Sequence, residues 1–413
     1  MLVSDFNSYF LPSVADKKFP RQIVKFLQSR LQNMLIKVAL LHCFLAWSAI
    51  PILLGATSHS EAKSTTVSRT VPLHYPALYP ESIAWDDGLG HFISGSLARG
   101  ALFSIMENGT VDEFIRDADY SGMAATVGVI IDTSRRRILT VINNVLDHPS
   151  SFHGLAAYDL DTKARLFLAK FDKQGCPNDV TVDPNSGFAY VTDSARNLVF
   201  KISLSGESLI FTENYLFNSQ PIVAVDPPAV RTGLNGITFT ENYLLVVQSN
   251  SGKLFKVMAH NAAVHVVDME KPLVAADGIR VRQDGLLVAI STDVLWVLKS
   301  RDHWRSAFIV KEVPLDRSLN STSCVLRGPK DNAMIVHAHF QDLFTVAEKG
   351  MEGLPGGEYC HEFSLQEVQL PSDPDNDPLL LLLIPFFFLV LFGIYKLQMN
   401  SLFNKCNQLT KRD

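Results

Sequence analysis

The chain has 413 residues, of which 47% are hydrophobic and 19% charged, and a formal net charge of −5 at neutral pH. That balance belongs to a globular protein with some membrane-type sequence added. Its 37 Lys and Arg residues form no basic run interleaved with aromatic side chains, so no nucleic-acid partner is expected. The five cysteines (Cys43, Cys176, Cys324, Cys360 and Cys406) make no C-x-x-C pair and no zinc-type spacing with histidine, which excludes a zinc site and a thioredoxin-like centre and leaves packing as their expected role.

Residues 1–62 are expected to hold a polar stretch and a secretory signal peptide or signal anchor. The segment 38–56 (VALLHCFLAWSAIPILLGA) is apolar and uncharged, and it follows Lys17, Lys18, Arg21, Lys25, Arg30 and Lys37. Met34 opens a segment of ordinary signal-peptide length, and a cut near Ala62 would fit it.

Residues 71–370 show little helical periodicity and many short alternating runs ended by Gly, Asn, Asp or Pro, which is all-β sequence. One motif recurs in six copies: PESIAWDDGLGHFISGS from Pro80, TVGVIIDTSRRRILTVIN from Thr126, PNDVTVDPNSGFAYVTDS from Pro177, LNGITFTENYLLVVQSN from Leu234, ADGIRVRQDGLLVAIST from Ala276 and STSCVLRGPKDNAMIVHAH from Ser321. A third strand follows in GALFSI, NLVFKI, GKLFKV and VLWVLK. Repeats of about 40 to 57 residues with about four strands each predict a six-bladed β-propeller. A β-sandwich would not repeat one motif six times. Along each first strand, alternation puts Ile83 and Trp85, Val129 and Ile131, Val180 and Val182, Ile237 and Phe239, Ile279 and Val281, and Cys324 and Leu326 on the face that packs between blades.

After the last copy, the stretch EYCHEFSLQEVQL from Glu358 is expected to close the ring, and residues 371–378 to form an acidic linker. Residues 379–397 are almost wholly apolar and, at about 1.5 Å per residue, long enough for a bilayer core of about 30 Å. Acidic residues precede this segment (Asp373, Asp375, Asp377) and basic ones close and follow it (Lys396, Lys405, Lys411, Arg412), so the positive-inside rule places the tail 398–413 in the cytosol. The expected protein is a single-pass membrane protein of the secretory pathway, held to the membrane by this helix with its propeller luminal or extracellular. Asn108 (NGT) and Asn320 (NST) are then glycosylation sequons, and Cys406 is either a free thiol or a lipidation site beside the membrane.

Aligned blade by blade, the residues at one end of the innermost strands are Glu81, Val127, Asn178, Asn235, Asp277 and Thr322. In a propeller that column faces the central channel. Two carboxylates and two carboxamides meeting there would repel or titrate unless a cation joined them; Ca²⁺ takes six to eight oxygen ligands at about 2.3 to 2.6 Å and suits this set, whereas zinc would recruit His or Cys. Singly, Asn-Asp, Asn-Gly and Asp-Gly are turn pairs. Asp179 and Thr322 are candidates to support the ligands, Asp179 alternatively to hold a second ion. His337 and His339 share one face of a strand and are either cleft residues or structural histidines.

SIAWD after Pro80-Glu81, NDVTVDPNSG from Asn178, NGITF from Asn235 and DGIRVRQDG from Asp277 resemble, as an ordered set over residues 80–344, the hallmark segments of the senescence marker protein/gluconolactonase family, which is related to diisopropyl fluorophosphatase and the paraoxonases. GLNGITF, YLLVVQSNSGKLFKV, LWVLKS and the C-terminal apolar segment resemble, more narrowly, a plant group of calcium-dependent phosphotriesterase-like proteins. The resemblance implies a Ca²⁺-dependent hydrolase of lactones or phosphotriester-like esters, with Glu81, Asn178, Asn235 and Asp277 as ligands and Asp277 as general base or nucleophile. It departs at Cys176, where sugar lactonases carry Arg two positions before the Asn matching Asn178, so sugar lactones are not the expected substrate. The alternative is a non-catalytic propeller in which Ca²⁺ locks the ring and the surface binds a protein or small ligand.

Overall fold

The computed structural model describes residues 67–145, 147–218, 232–327, 332–343, 362–373, 375 and 378–409, and in the last of these the side chains of 387–401 and 404. The expected signal segment, Cys43, Cys360, Lys411 and Arg412 lie outside the described residues.

Each motif copy becomes the first two strands of a blade. The inner strands are Ile83–Asp86, Ala125–Asp132, Pro177–Val182, Leu234–Thr240, Ala276–Val281 and Ser321–Arg327, and each pairs antiparallel with the strand that follows it. The third strands fall where the sequence placed them, at Ala101–Ile105, Leu198–Ile202, Lys253–Met258 and Val294–Lys299. Six sheets result among the described residues, five of four strands and one of five. The inner strand of every blade touches that of the next, and the sixth touches the first, so the ring closes.

The fourth strands carry no motif, and sequence reading did not find them. Val111–Arg116, Arg165–Lys170 and Ser208–Glu213 are largely exposed, so nothing forces an apolar alternation on them. Blade 5 adds a two-residue bridge, Asp268–Met269, parallel to its outer strand Ser306–Pro314.

Closure differs from the expectation. Glu362–Val368 is the third strand of blade 6, and the fourth is the N-terminal strand Val67–His74, paired from Val67↔Val368 to His74↔Glu362. The propeller thus begins at Val67 rather than at 71. Both ends of the propeller meet in one sheet.

The alternation read from the sequence acts directionally. The first residue of each apolar pair (Ile83, Val129, Val180, Ile237, Ile279, Cys324) is 0% exposed and packs against the preceding blade. Val129, for example, joins Ala84, Ile93 and Leu102 of blade 1, and Ile279 joins Tyr243, Leu245 and Val247 of blade 4. Cys324 is one such packing residue, with its thiol pushed up to about 12 by burial.

Downstream of the ring the acidic segment lies on blade 5, where Lys299 pairs with Asp373 and, at 2.6 Å, with Asp375, while Arg301 pairs with Asp375 at 2.7 Å. The C-terminal segment is a helix, α1, over Pro378–Leu409, and large apolar side chains from Phe387 to Leu397 are exposed on it. Among the described residues no helix is long and apolar enough to cross a membrane.

Candidate metal centre

The column residues sit where the inner strands leave regular pairing. Register shifts fall between Thr126 and Val129, Pro177 and Val180, Leu234 and Ile237, Ala276 and Ile279, and Ser321 and Ser323, so Val127, Asn178, Asn235, Asp277 and Thr322 all lie in β-bulges. A bulge re-aims a side chain that would otherwise follow the pleat, here toward the channel. Two positions upstream, Tyr79, Ala275 and Asn320 take left-handed backbone angles (φ 41°, 58° and 52°), which turn the chain into the column in blades 1, 5 and 6.

The residue after each column position locks one blade to the next. Gly236 lies so close to Asp277 that an added Cβ would stand 2.1 Å from its carbonyl oxygen, and Gly128 and Gly278 press similarly on Asn178 and Thr322. Where a side chain is present it works as an acceptor: Val129 N–H donates to Ser82 Oγ (3.1 Å), and Ile237 N–H donates to Asp179 Oδ2 (3.2 Å). Thr322 Oγ1 closes the circle by donating to the Glu81 carbonyl at 2.5 Å.

Glu81, Asp277 and Asn235 lie within reach of one another: the Asp277 charge acts on Glu81, and Asn235 hydrogen-bonds Asp277, while Asn178 holds the matching position in the bulge of blade 3. Burial raises the Glu81 pKa well above the carboxylate range, and the Asp277 and Asp179 charges raise it further. Burial, with Asp179 adding to it, pushes Asp277 up to about 8, against a hydrogen bond from Asn235. Asn235 is 3% exposed, and its Nδ2 donates to Ser249 Oγ at 3.0 Å, which aims its oxygen.

Three buried oxygens there have no hydrogen-bond partner: Glu81 Oε2, Asn178 Oδ1 and Asn235 Oδ1. Buried acceptors are normally satisfied, so three orphans beside a carboxylate pair are the chemistry of a hard-cation site, and the donor set fits Ca²⁺. Among the described residues there is no group of three or more His, Cys, Asp or Glu that could hold a metal ion.

Asp179 is committed elsewhere. Its Oδ1 accepts from Val180 N–H (2.8 Å), and its Oδ2 accepts from Ile237 N–H and lies 3.4 Å from Arg280 Nη1. It therefore positions the inner strand of blade 4, which carries Asn235.

Arg280 was missed by sequence reading although it stands inside the DGIRV segment. A plain alternation turns position 280 away from Asp277, and only the bulge and the narrow channel bring its guanidinium to Asp179. A second polar column on the second strands, Ser94, Asn143, Asp193, Gln248, Ser291 and His337, is all buried, and of it only His337 was singled out from the sequence. Two of them hold the chain at the blade 3 bulge: Asn143 Nδ2 donates to the Pro177 carbonyl (2.6 Å), and the Cys176 N–H donates to Asp193 Oδ1 (3.0 Å).

His337 belongs to that column as a structural residue, fully buried, with Nδ1 at 3.0 Å from Ser321 Oγ and burial pushing it down to about 4. His339 lies outside it, half-buried on the ring edge of Phe363. Asn320 is a correction: at 1% exposure, with Nδ2 donating to the Arg317 carbonyl, it serves the left-handed turn and is closed to a glycan. Asn108 is accessible in an exposed turn between the outer strands of blade 1.

No family model matches the sequence, and no curated protein matches it. Among solved structures, the major Malassezia sympodialis allergen Mala s 1 aligns over 73% of this chain and 96% of its own, at 16% identity and a TM-score of 0.58. A Xanthomonas campestris gluconolactonase aligns over 74% and 92% at 17% identity (TM-score 0.49), and the calcium-binding protein regucalcin from Agrobacterium tumefaciens over 73% and 94% at 13% identity (TM-score 0.45). At these identities the likeness to Mala s 1 shows a shared fold: the chain is an all-β six-bladed propeller.

Proposed function

We propose that the chain is a Ca²⁺-dependent hydrolase of lactones or phosphotriester-like esters. The observation that carries this reading is the set of three orphaned buried oxygens, Glu81 Oε2, Asn178 Oδ1 and Asn235 Oδ1, together with the Asp277 carboxylate whose charge acts on Glu81. The ordered resemblance of four motif segments to the gluconolactonase family supports it.

Glu81, Asn178, Asn235 and Asp277 would hold the ion, which when bound supplies a Lewis acid for the carbonyl or phosphoryl oxygen of an ester. The chain's own residues do the rest. Asn235 orients Asp277 through its amide, and Asp277 stays partly open to the channel lumen. From there its carboxylate would either attack the ester centre, expelling the alcohol or aryl oxygen and leaving an acyl- or phosphoryl-aspartate that water then cleaves, or take a proton from the attacking water and pass it to the leaving oxygen. Asp179 and Thr322 hold the neighbouring backbones and touch no substrate. Cys176, half-buried, offers no charge at the position where sugar lactonases carry Arg.

The test is turnover of a broad panel of lactones and aryl phosphotriesters by the Ca²⁺-loaded chain, with a soak to see an ester on the metal. Hydrolysis abolished by chelator and restored by Ca²⁺ is expected. Absence of turnover across the panel, with Ca²⁺ still raising the melting temperature, would replace the enzyme by the non-catalytic propeller.

We further propose, from the acidic residues before and the basic residues after 379–397, that the propeller lies in the secretory lumen or outside the cell and is held at the membrane by α1, whose exposed apolar side chains from Phe387 to Leu397 support a lipid environment. In sealed microsomes protease should remove only the short tail, and a glycan should be found on Asn108 alone. Digestion of the propeller would overturn this placement.

A further inference from the structure

The charges in the channel do not stop at the proposed ligands. Asp179 lies within electrostatic reach of both Glu81 and Asp277, which makes three carboxylates. Opposing them is Arg280, whose side chain is 15% exposed; Nη1 is 3.4 Å from Asp179 Oδ2 and donates to the Ile279 carbonyl at 2.8 Å. Its charge reaches Glu81, and together with Asp179 it reaches the buried Cys324 of blade 6. Once a bound cation holds Glu81 and Asp277 ionised, one guanidinium against three carboxylates leaves two negative charges, the complement of a single divalent ion.

We propose that Arg280 is the channel's built-in counter-cation: by neutralising Asp179 it fixes the metal load at one divalent ion and frees Asp179 to position blade 4. This rests on the calcium reading above and deepens it. Arg280 is a positioning residue; it touches Asp179 and not the oxygens left for the ion. Without it, Asp179 would be a buried carboxylate with two backbone donors and no counter-charge, and a second cation would be drawn in. With it, an inner strand from blade 3, one from blade 4 and one from blade 5 share a single carboxylate.

The experiment is a charge cycle on the full-length chain, with Arg280→Gln, Arg280→Lys, Asp179→Asn and the Arg280→Gln/Asp179→Asn double variant. Ca²⁺ stoichiometry and Kd are read by equilibrium dialysis and calorimetry, and melting temperature is read separately in chelator. The wild type should bind one ion per chain. Arg280→Gln should bind Ca²⁺ more tightly, by about tenfold for one unit charge removed nearby, or take up a second ion. Arg280→Lys should behave as wild type. The double variant removes both charges while an amide oxygen still accepts from Ile237 N–H, so it should return to one ion and wild-type Kd, although it has lost more contacts than either single change.

In chelator, Arg280→Gln should melt below wild type and the double variant should recover most of the loss. Two ions on the wild type, an unchanged Kd and stoichiometry in Arg280→Gln, or no recovery in the double variant would overturn the proposal. Recovery in chelator from a chain that binds no Ca²⁺ would leave the Arg280–Asp179 balance standing and remove the calcium reading. Ca²⁺ binding without recovery would do the reverse.

Discussion

Blades 2 and 5 share the same device and use it differently. In each, the inner strand bulges at the channel and a glycine follows, Gly128 pressed on Asn178 and Gly278 pressed on Thr322. Blade 2 presents Val127, 5% exposed and part of the apolar core, whereas blade 5 presents Asp277 and, three residues on, Arg280 paired with Asp179. The bulge is therefore architecture, and the chemistry is the choice of side chain placed on it. A site of this kind can be gained or lost by single substitutions that leave the ring intact.

The sharpest break in that comparison is at the side chain. Asp277→Asn keeps an oxygen and nearly the same volume, yet removes the charge a base or nucleophile needs, so kcat on any ester the parent hydrolyses should fall by about 10² or more at saturating Ca²⁺. Wild-type kcat would reduce Asp277 to a ligand. Glu81→Gln should lose activity chiefly through weaker metal binding and regain part of it in excess Ca²⁺.

A second break is at the architecture. Gly236→Ala brings a Cβ to 2.1 Å from the Asp277 carbonyl, where only backbone can yield, and should cost about 3 kcal/mol in chemical denaturation. Equal stability would show that the bulges tolerate side chains. Removing the ion should matter slightly less: at a hundredfold excess over Kd, Ca²⁺ adds about 2.7 kcal/mol, so chelator should lower the melting temperature. A melting curve indifferent to both chelator and Ca²⁺ would argue against a calcium site.

The smallest effect expected is in blade 6. His337 is neutral in the fold, with a pKa of about 4 against an ordinary value near 6.5. The unfolded chain binds its proton first on acidification, so its contribution is intact above about pH 6.5 and is lost as pH falls toward 4, on the order of 2 kcal/mol. His337→Gln should flatten the pH dependence of stability across that window; an unchanged slope would assign the acid sensitivity to other groups.

The inner strands and the site column were legible because each copy repeats a special residue followed by apolar residues at fixed spacing, and burial against the preceding blade enforces that spacing. The outer strands were not, since exposed positions such as Leu209 and Ile210 obey no pattern that separates strand from loop. Val67–His74 stands before the first motif copy, and nothing local in VSRTVPLH says that its partner is Glu362–Val368. Asn320 misled in another way: Asn-Ser-Thr satisfies the glycosylation pattern, while the asparagine is there for its left-handed backbone. Arg280 escaped because a bulge breaks the period-two rule from which side-chain direction is read.

The shared sheet of blade 6 also sets the order of events during synthesis. Its first and last strands are separated by roughly 290 to 300 residues, and bringing such distant segments together costs about 5 kcal/mol in loop-closure entropy. Blades 1 to 5 can form as hairpins while the chain emerges, but the final blade must wait until Glu362–Val368 has left the ribosome. Until then the strand Val67–His74 is an unpaired β-edge carried through the whole of translation, and Arg69 and Pro72 within VSRTVPLH are the kind of residues that keep such an edge from pairing with another chain.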